Sequence, residues 1–216
     1  MKTGIVFHEL YLWHDTGNHA DYVPYGFPVE PFQHSENPDA KRRIKNLMEV
    51  SGLYEKLFQI TPRKATKDEI LLFHTENHFE YIKSLNDSIN IDAGITTPTG
   101  IGSFDIALLS AGGVIEAIDH VIDEKVNNAY ALVRPPGHHA MPNKAMGFCI
   151  FGNAAIAGKH ALKNKDLHKI AFIDWDVHLF THAKMGRVWC LMMTMLGGPT
   201  RRQVRSRSSP AQQKNP

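Results

Sequence analysis

Two short polar clusters in this sequence have the residue types and the spacing to do chemistry. The first is Arg134-Pro135-Pro136-Gly137-His138-His139-Ala140. A stiff Pro-Pro-Gly turn can aim two adjacent histidines at one spot. Imidazole is the side chain best matched to general acid or base work near neutral pH. The second is Asp174-Trp175-Asp176-Val177-His178. In an extended chain alternate side chains point the same way, so Asp174, Asp176 and His178 would face one side together. Carboxylate oxygen and imidazole nitrogen are good zinc ligands, and a catalytic zinc needs three protein ligands and one open position. Taken singly, a His-His pair or an Asp-x-Asp-x-His run also reads as plain surface polarity. What separates the readings is whether the two clusters meet.

The elements around them say that they should. Ala129 to Val133 is a short apolar strand, a helical stretch runs from about Asn153 to Leu162, and Lys169 to Ile173 is a second apolar strand. Strand, helix, strand implies a parallel sheet with flanking helices, an α/β fold. Ligands in such sheets sit beyond the carboxyl ends of the strands, where both polar clusters lie. Upstream, residues 1–7 read as a strand, and residues 8–38, rich in His, Pro and Gly, as long loops of the kind that form a site rim. Ile44, Leu47 and Met48 predict a helix from Ala40 that ends near Gly52. Thr66 and Glu69 form a capping box that starts another. Residues 86–104 read as loop, and Leu108, Ala111, Ile115, Ile118 and Ile122 as one long helix.

Composition narrows the class. The 216 residues suffice for one domain with a sizeable core. The apolar run Val188 to Leu196 is far shorter than the roughly 20 residues of a membrane-spanning helix. The N-terminal apolar run is too brief for a signal peptide. Two cysteines, Cys149 and Cys190, make no disulfide framework, so a cytoplasmic setting is expected. The net charge of +2 conceals a split: residues 179–216 hold seven Lys or Arg and no Asp or Glu, leaving 17 basic and 22 acidic residues before them. A basic segment of this kind reads as a solvated, disordered tail. No aromatic residue alternates with Arg201, Arg202, Arg205 and Arg207, which argues against nucleic acid as a partner.

The wording of the clusters resembles the histone deacetylase and acetylpolyamine amidohydrolase family, the class II-like bacterial amidohydrolases above all. The match lies in Arg134-Pro-Pro-Gly-His-His, in Gly147-Phe148-Cys149-Ile150-Phe151 and in Ile173-Asp174-Trp175-Asp176-Val177-His178, with weaker echoes in Asp15-Thr16-Gly17, in 39–43 and in 109–113. It covers roughly residues 1–178. The resemblance implies an arginase/deacetylase-like fold and zinc-dependent hydrolysis of an acetylated lysine or polyamine. Asp176 and His178 would be two zinc ligands. His139 would be the general base and His138 its electrostatic partner, with Asp174 orienting His138. Phe148 would form one wall of a narrow acyl channel with Gly147 beside it, and Asp92 would be a rim carboxylate holding substrate backbone. The implied reaction polarises the acetyl carbonyl at zinc, moves a proton from water to histidine, and releases the amine.

The sequence also departs from that pattern. Where the family continues with a second histidine and a Gly-Asn-Gly turn, Leu179-Phe180-Thr181-His182 follows. The family's third ligand, an aspartate, has no counterpart, because no Asp or Glu occurs after Asp176; the family's Gly-Gly-Tyr loop has none either, and Gly197-Gly198-Pro199 is a coincidence. The expectation is a truncated or frameshifted chain that binds zinc weakly, and the alternative reading is a non-catalytic remnant. Two further features carry bland readings. His74-Thr-Glu-Asn-His78 places two histidines four apart on a predicted helix, but its Glu is not adjacent to the first His as in a zinc-protease motif, so a solvated helix face is expected. Cys149 has apolar neighbours and reads as a buried structural thiol.

Overall fold

A computed structural model describes residues 1–18, 28–165, 167–174 and 176. Strand β1 (Thr3–Val6) leads into a 3-10 turn, and helix α1 (Asp39–Val50) and strand β2 (Phe58–Ile60) follow. Gly52 takes a φ of 68° just past the end of α1, the left-handed stop predicted for it. The apolar periodicity of α1 is real, yet much of its apolar face is open among the described residues: Ile44 is 40%, Leu47 70% and Val50 90% exposed.

The predicted capping box is present at helix α2 (Lys67–Ile70), with the Thr66 and Glu69 side chains each bonded to the other's backbone N–H. This helix makes one turn only. Thr75 offers a second N-cap, accepting from the amide of His78, and the chain restarts as α3 (Glu76–Ser84). Residues 86–104, read as loop, hold three two-residue strands, β3 (Ile91–Asp92), β4 (Gly94–Ile95) and β5 (Pro98–Thr99). Pairs this short carry no periodicity for a sequence to show.

The long helix α4 (Ser103–Ile122) is followed by β6 (Asn128–Ala131), β7 (Ala145–Met146) and helix α5 (Asn153–Asn164). Strands β2, β1 and β6 form one parallel sheet in that order, with Gly4 opposite both Phe58 and Ala129. The protein is therefore α/β, with helices packed on a parallel sheet. Helix α4 lies on it, burying Ala117 and Val121 against Val6 and Ile60. Its Gly112 admits a crossing segment, since a Cβ there would stand 1.9 Å from the Arg63 carbonyl oxygen. A larger apolar cluster joins α3, α4 and α5 through Phe79, Phe104, Ile115, Phe151 and Ile156.

The strand expected over Lys169–Ile173 is not formed as such. Within that run, Ala171 and Ile173 each make a single bridge and no continuous strand. Phe172 is nevertheless buried. Its ring lies on α5 beside Gly158, where a Cβ would stand 2.4 Å from it. Residues 179–216 lie outside the described residues.

Candidate active site

The loop after β6 carries the histidine pair, and several elements hold that loop. The Pro135 carbonyl accepts from the Ser110 hydroxyl of α4 at 2.9 Å and from the Asn153 amide at the start of α5 at 3.1 Å. Arg134, fully buried, donates from Nε to both oxygens of the Glu36 carboxylate, at 2.8 and 3.0 Å. It also donates to the carbonyls of Tyr11, His14 and Glu36. Burial pulls the guanidinium pKa down, and the charge of Glu36 opposes that pull. One side chain thus ties the segments after β1, before α1 and after β6 together at the carboxyl edge of the sheet.

The two polar clusters meet there. The His138 and His139 rings stand 4.0 Å apart, centroid to centroid. Nδ1 of His138 is 3.4 Å from Oδ2 of Asp174, and its Nε2 is 3.9 Å from Oδ2 of Asp176. The other Asp174 oxygen accepts from the amide of Asp176 at 3.0 Å. A carboxylate can only accept, so Nδ1 of His138 carries the proton and Nε2 is turned toward Asp176. Asp174 and Asp176 thus reach the same imidazole, as alternation along an extended chain requires. His178 lies outside the described residues.

Carboxylates facing an imidazole suit a divalent cation in kind. Among the described residues, however, no group of three His, Cys, Asp or Glu side chains stands close enough together to hold one. The described residues bring one expected ligand, Asp176, to the histidine pair.

The wall opposite is a tight turn. Met146 and Cys149 bridge across Gly147 and Phe148, whose φ angles are 55° and 68°. Positive φ at both central positions is the form that suits a two-residue hairpin. It strains Phe148, since a bulky residue rarely enters the left-handed region. Contacts on all sides impose it. The amides of Gly147 and Phe148 donate to the carbonyls of Ile95 and Thr96 at 2.9 and 3.0 Å, and the Phe148 ring meets buried His34 edge to face at 4.8 Å. Cys149 is buried, accepts from the His139 amide at 3.4 Å and donates to the Gly147 carbonyl at 3.3 Å. Burial pushes its thiol up to about 12, so it stays protonated and structural, as expected.

Asp92 is exposed, and its carboxylate is engaged by its own loop, accepting from the amides of Gly94, Thr96 and Thr97 at 3.0, 3.1 and 2.8 Å. That loop supplies the Ile95 and Thr96 carbonyls beneath the Gly147–Phe148 turn. Asp92 is thereby linked to Phe148 through backbone.

Comparison with known proteins agrees with this architecture. The family model described as "Histone deacetylase domain" matches residues 34–179, more than half of the chain. The chain belongs to the histone deacetylase family. It is 42% identical over 180 residues to the histone deacetylase-like amidohydrolase of Pseudomonas aeruginosa, covering 82% of this chain and 47% of that protein. To the polyamine deacetylase HDAC10 of Danio rerio it is 34% identical, covering 69% of this chain and 23% of that protein. The crystal structure of the HDA15 HD domain superposes with a TM-score of 0.74 at 31% identity, covering 84% of this chain and 48% of that one. The chain spans half or less of the length of these relatives.

Sequence reasoning missed some of what surrounds this site. Glu36 and His34 lie in residues 8–38, whose composition points to no more than a loop-rich rim. The histidines of His74-Thr-Glu-Asn-His78 are not on a solvated helix face. His74 precedes α3, and both side chains are 3% exposed. Their partners lie 68 to 78 residues further along the chain, beyond the reach of any local pattern.

Proposed function

We propose that this site belongs to a zinc-dependent amide hydrolase that removes acetyl groups from amines, acetyl-lysine in proteins or acetylated polyamines. The observation that carries the reading is the convergence of the His138–His139 pair with Asp174 and Asp176, at 3.4 and 3.9 Å from His138. The family and its relatives, named deacetylases of histones and of polyamines, support it.

Asp176 and His178 would hold the zinc, which when bound supplies Lewis acidity to the acetyl carbonyl. The remaining work falls to the chain's own residues. His139, in ring contact with His138 and backed by Gly147, takes a proton from the attacking water. His138, donating from Nδ1 to Asp174, carries a proton whose positive charge Asp174 and Asp176 would stabilise. Water adds to the carbonyl carbon, the C–N bond breaks, and the amine leaves with a proton from the histidine pair, giving acetate and free amine. Phe148 and Gly147 form a wall for the aliphatic chain that leads to the acetyl group, and Asp92 stands at the rim.

The test is acetate release by the 216-residue chain from an acetyl-lysine peptide and from an N-acetylated polyamine, with and without added zinc. Release that needs zinc and disappears in both His139→Ala and Asp176→Ala is the expected result. Zinc binding with no release from either substrate would overturn the reading and leave a non-catalytic remnant.

A further inference from the structure

His74 and His78 are buried polar side chains that the proposed chemistry does not use. Their ring nitrogens are directed at one stretch of backbone. His74 Nδ1 lies 3.2 Å from the Pro142 carbonyl, and His74 Nε2 accepts the amide of Gly152 at 2.9 Å. His78 Nε2 lies 3.0 Å from the Ile150 carbonyl. A carbonyl only accepts and an amide N–H only donates, so each tautomer is fixed: His74 carries its proton on Nδ1, His78 on Nε2. Between the two histidines in sequence, the Thr75 amide donates to the same Pro142 carbonyl at 2.8 Å. The two rings face each other at 4.8 Å and 31°, and both pack on Phe151 at 5.3 and 5.7 Å.

Pro142 is one end of a loop, and Ile150 and Gly152 are the other. At its apex stand Gly147 and Phe148, with Gly147 against the His139 ring. We infer that His74 and His78 are positioning residues: a clamp of two imidazoles in fixed tautomers that holds both ends of the 142–152 loop and so sets the Gly147–Phe148 turn against His139. The consequence for catalysis rests on the deacylase reading. The clamp itself does not.

The choice of histidine is explained by geometry. His74 must donate on one side of a rigid ring and accept on the other, spanning from Pro142 to Gly152. A carboxamide has its donor and acceptor at one end, so Asn or Gln at 74 can satisfy only one of the two. His78 needs a single donor at the reach of Nε2, which the amide of Gln supplies.

Cys149, next to the apex and fully buried, reports on the loop without any need for activity. The experiment uses the full chain carrying Cys190→Ser, so that Cys149 is the remaining thiol. Its alkylation by iodoacetamide is followed by mass spectrometry beside the thermal midpoint. A lost buried hydrogen bond should open the loop roughly tenfold more often. Alkylation is therefore expected to rise about that much in His78→Leu, His74→Asn and His74→Gln, and to return to the parent rate in His78→Gln. Val121→Ala, a cavity in the α4–sheet core, serves as the control: it should lower the midpoint and leave alkylation unchanged. Parent-like alkylation in His78→Leu overturns the clamp. So does alkylation that follows the midpoint in every variant, Val121→Ala included. If His78→Leu does not fold, the pair His78→Gln against His74→Gln decides, and equal alkylation in both overturns the proposal. Loss of zinc-dependent acetate release in all proteins alike would count against the deacylase reading alone.

Discussion

Gly147 lies against the imidazole of His139: a Cβ built on this glycine would stand 2.6 Å from Cδ2 of the ring and 2.9 Å from Cγ. The close approach is needed because the turn at Gly147–Phe148 forms one side of the space that the histidine pair faces. Gly147→Ala should therefore cost twice. A φ of 55° penalises an L side chain by ~1–2 kcal/mol, and the ring must also move. Gly52→Ala is the matched control, since Gly52 also has positive φ, at 68°, but nothing within 4 Å of its Cβ position. Gly52→Ala should lose ~2–8 °C in thermal midpoint at ~2–4 °C per kcal/mol, and Gly147→Ala more. Only Gly147→Ala should abolish acetate release or shift the His139 ring resonances in NMR spectra.

Arg134 and Glu36 are both buried and paired. Removing one member of such a pair leaves an uncompensated charge and costs ~3–5 kcal/mol. For Arg134→Met the low end is expected, because Lys41 also reaches Glu36, at 3.1 Å. The double variant Arg134→Met/Glu36→Leu should lose less than the sum of the two single losses. Urea midpoints of the four proteins measure this. Strict additivity would mean that the pair does not act as a unit.

How much of this the sequence disclosed depends on the range of each interaction. The Thr66–Glu69 capping box, the stop at Gly52, helices α1, α4 and α5, and the Pro-Pro-Gly turn before the histidines are all written within a few residues. Each is found where its local signal stands. The meeting of His138 with Asp174 could be inferred because both follow apolar runs on either side of a helix. The Arg134–Glu36 pair spans 98 residues and could not. Nor could the burial of His74 and His78, whose polar types suggest solvent until their distant backbone partners are known. The Lys169–Ile173 run shows the opposite failure. Its apolar composition is right for a strand, and Phe172 is buried, but pairing requires neighbours that composition does not specify.

Zinc binding should depend on Asp176 and not on Asp174. Asp174 has both oxygens engaged, by His138 and by the Asp176 amide, whereas the Asp176 side chain is 36% exposed. If Asp176 and His178 are the ligands this chain offers, it should bind zinc at micromolar or weaker affinity. Calorimetric titration should show binding lost in Asp176→Ala and retained in Asp174→Asn and His138→Ala. A tight site that survives Asp176→Ala would put the metal elsewhere.

Asp174→Asn keeps an acceptor beside Nδ1 of His138 but removes the negative charge that the imidazole faces. Where acetate release is measured, turnover should fall. The rate at the optimum should fall less than in His139→Ala, for which ~10²–10⁴-fold is the usual cost of losing a general base. A rate equal to the parent's would detach Asp174 from the work of the histidine pair.

Acid stability should carry the signature of Glu69. Burial alone would raise its carboxyl pKa, but hydrogen bonds from Arg63 and Thr66 outweigh that and bring it down to about 2. A carboxylate held below its unfolded value stabilises the fold fully above that value, and the contribution disappears as pH falls through the folded one. The window therefore runs from the ordinary 4.5 down to about 2. Glu69→Gln isolates the charge, because Gln can still reach back to the Thr66 amide and complete the capping box. The thermal midpoint of the parent should exceed that of Glu69→Gln by a constant margin from pH 7 down to about 5, and the margin should close on approaching about 2. His14 and His78, whose pKa values burial lowers, destabilise both proteins alike below their ordinary 6.5 and cancel in the difference. Because Arg63 is 39% exposed, solvent screens the pair and the margin should shrink in high salt. A margin that stays constant down to pH 2 would show that the ion pair contributes no more than the neutral hydrogen bonds that replace it.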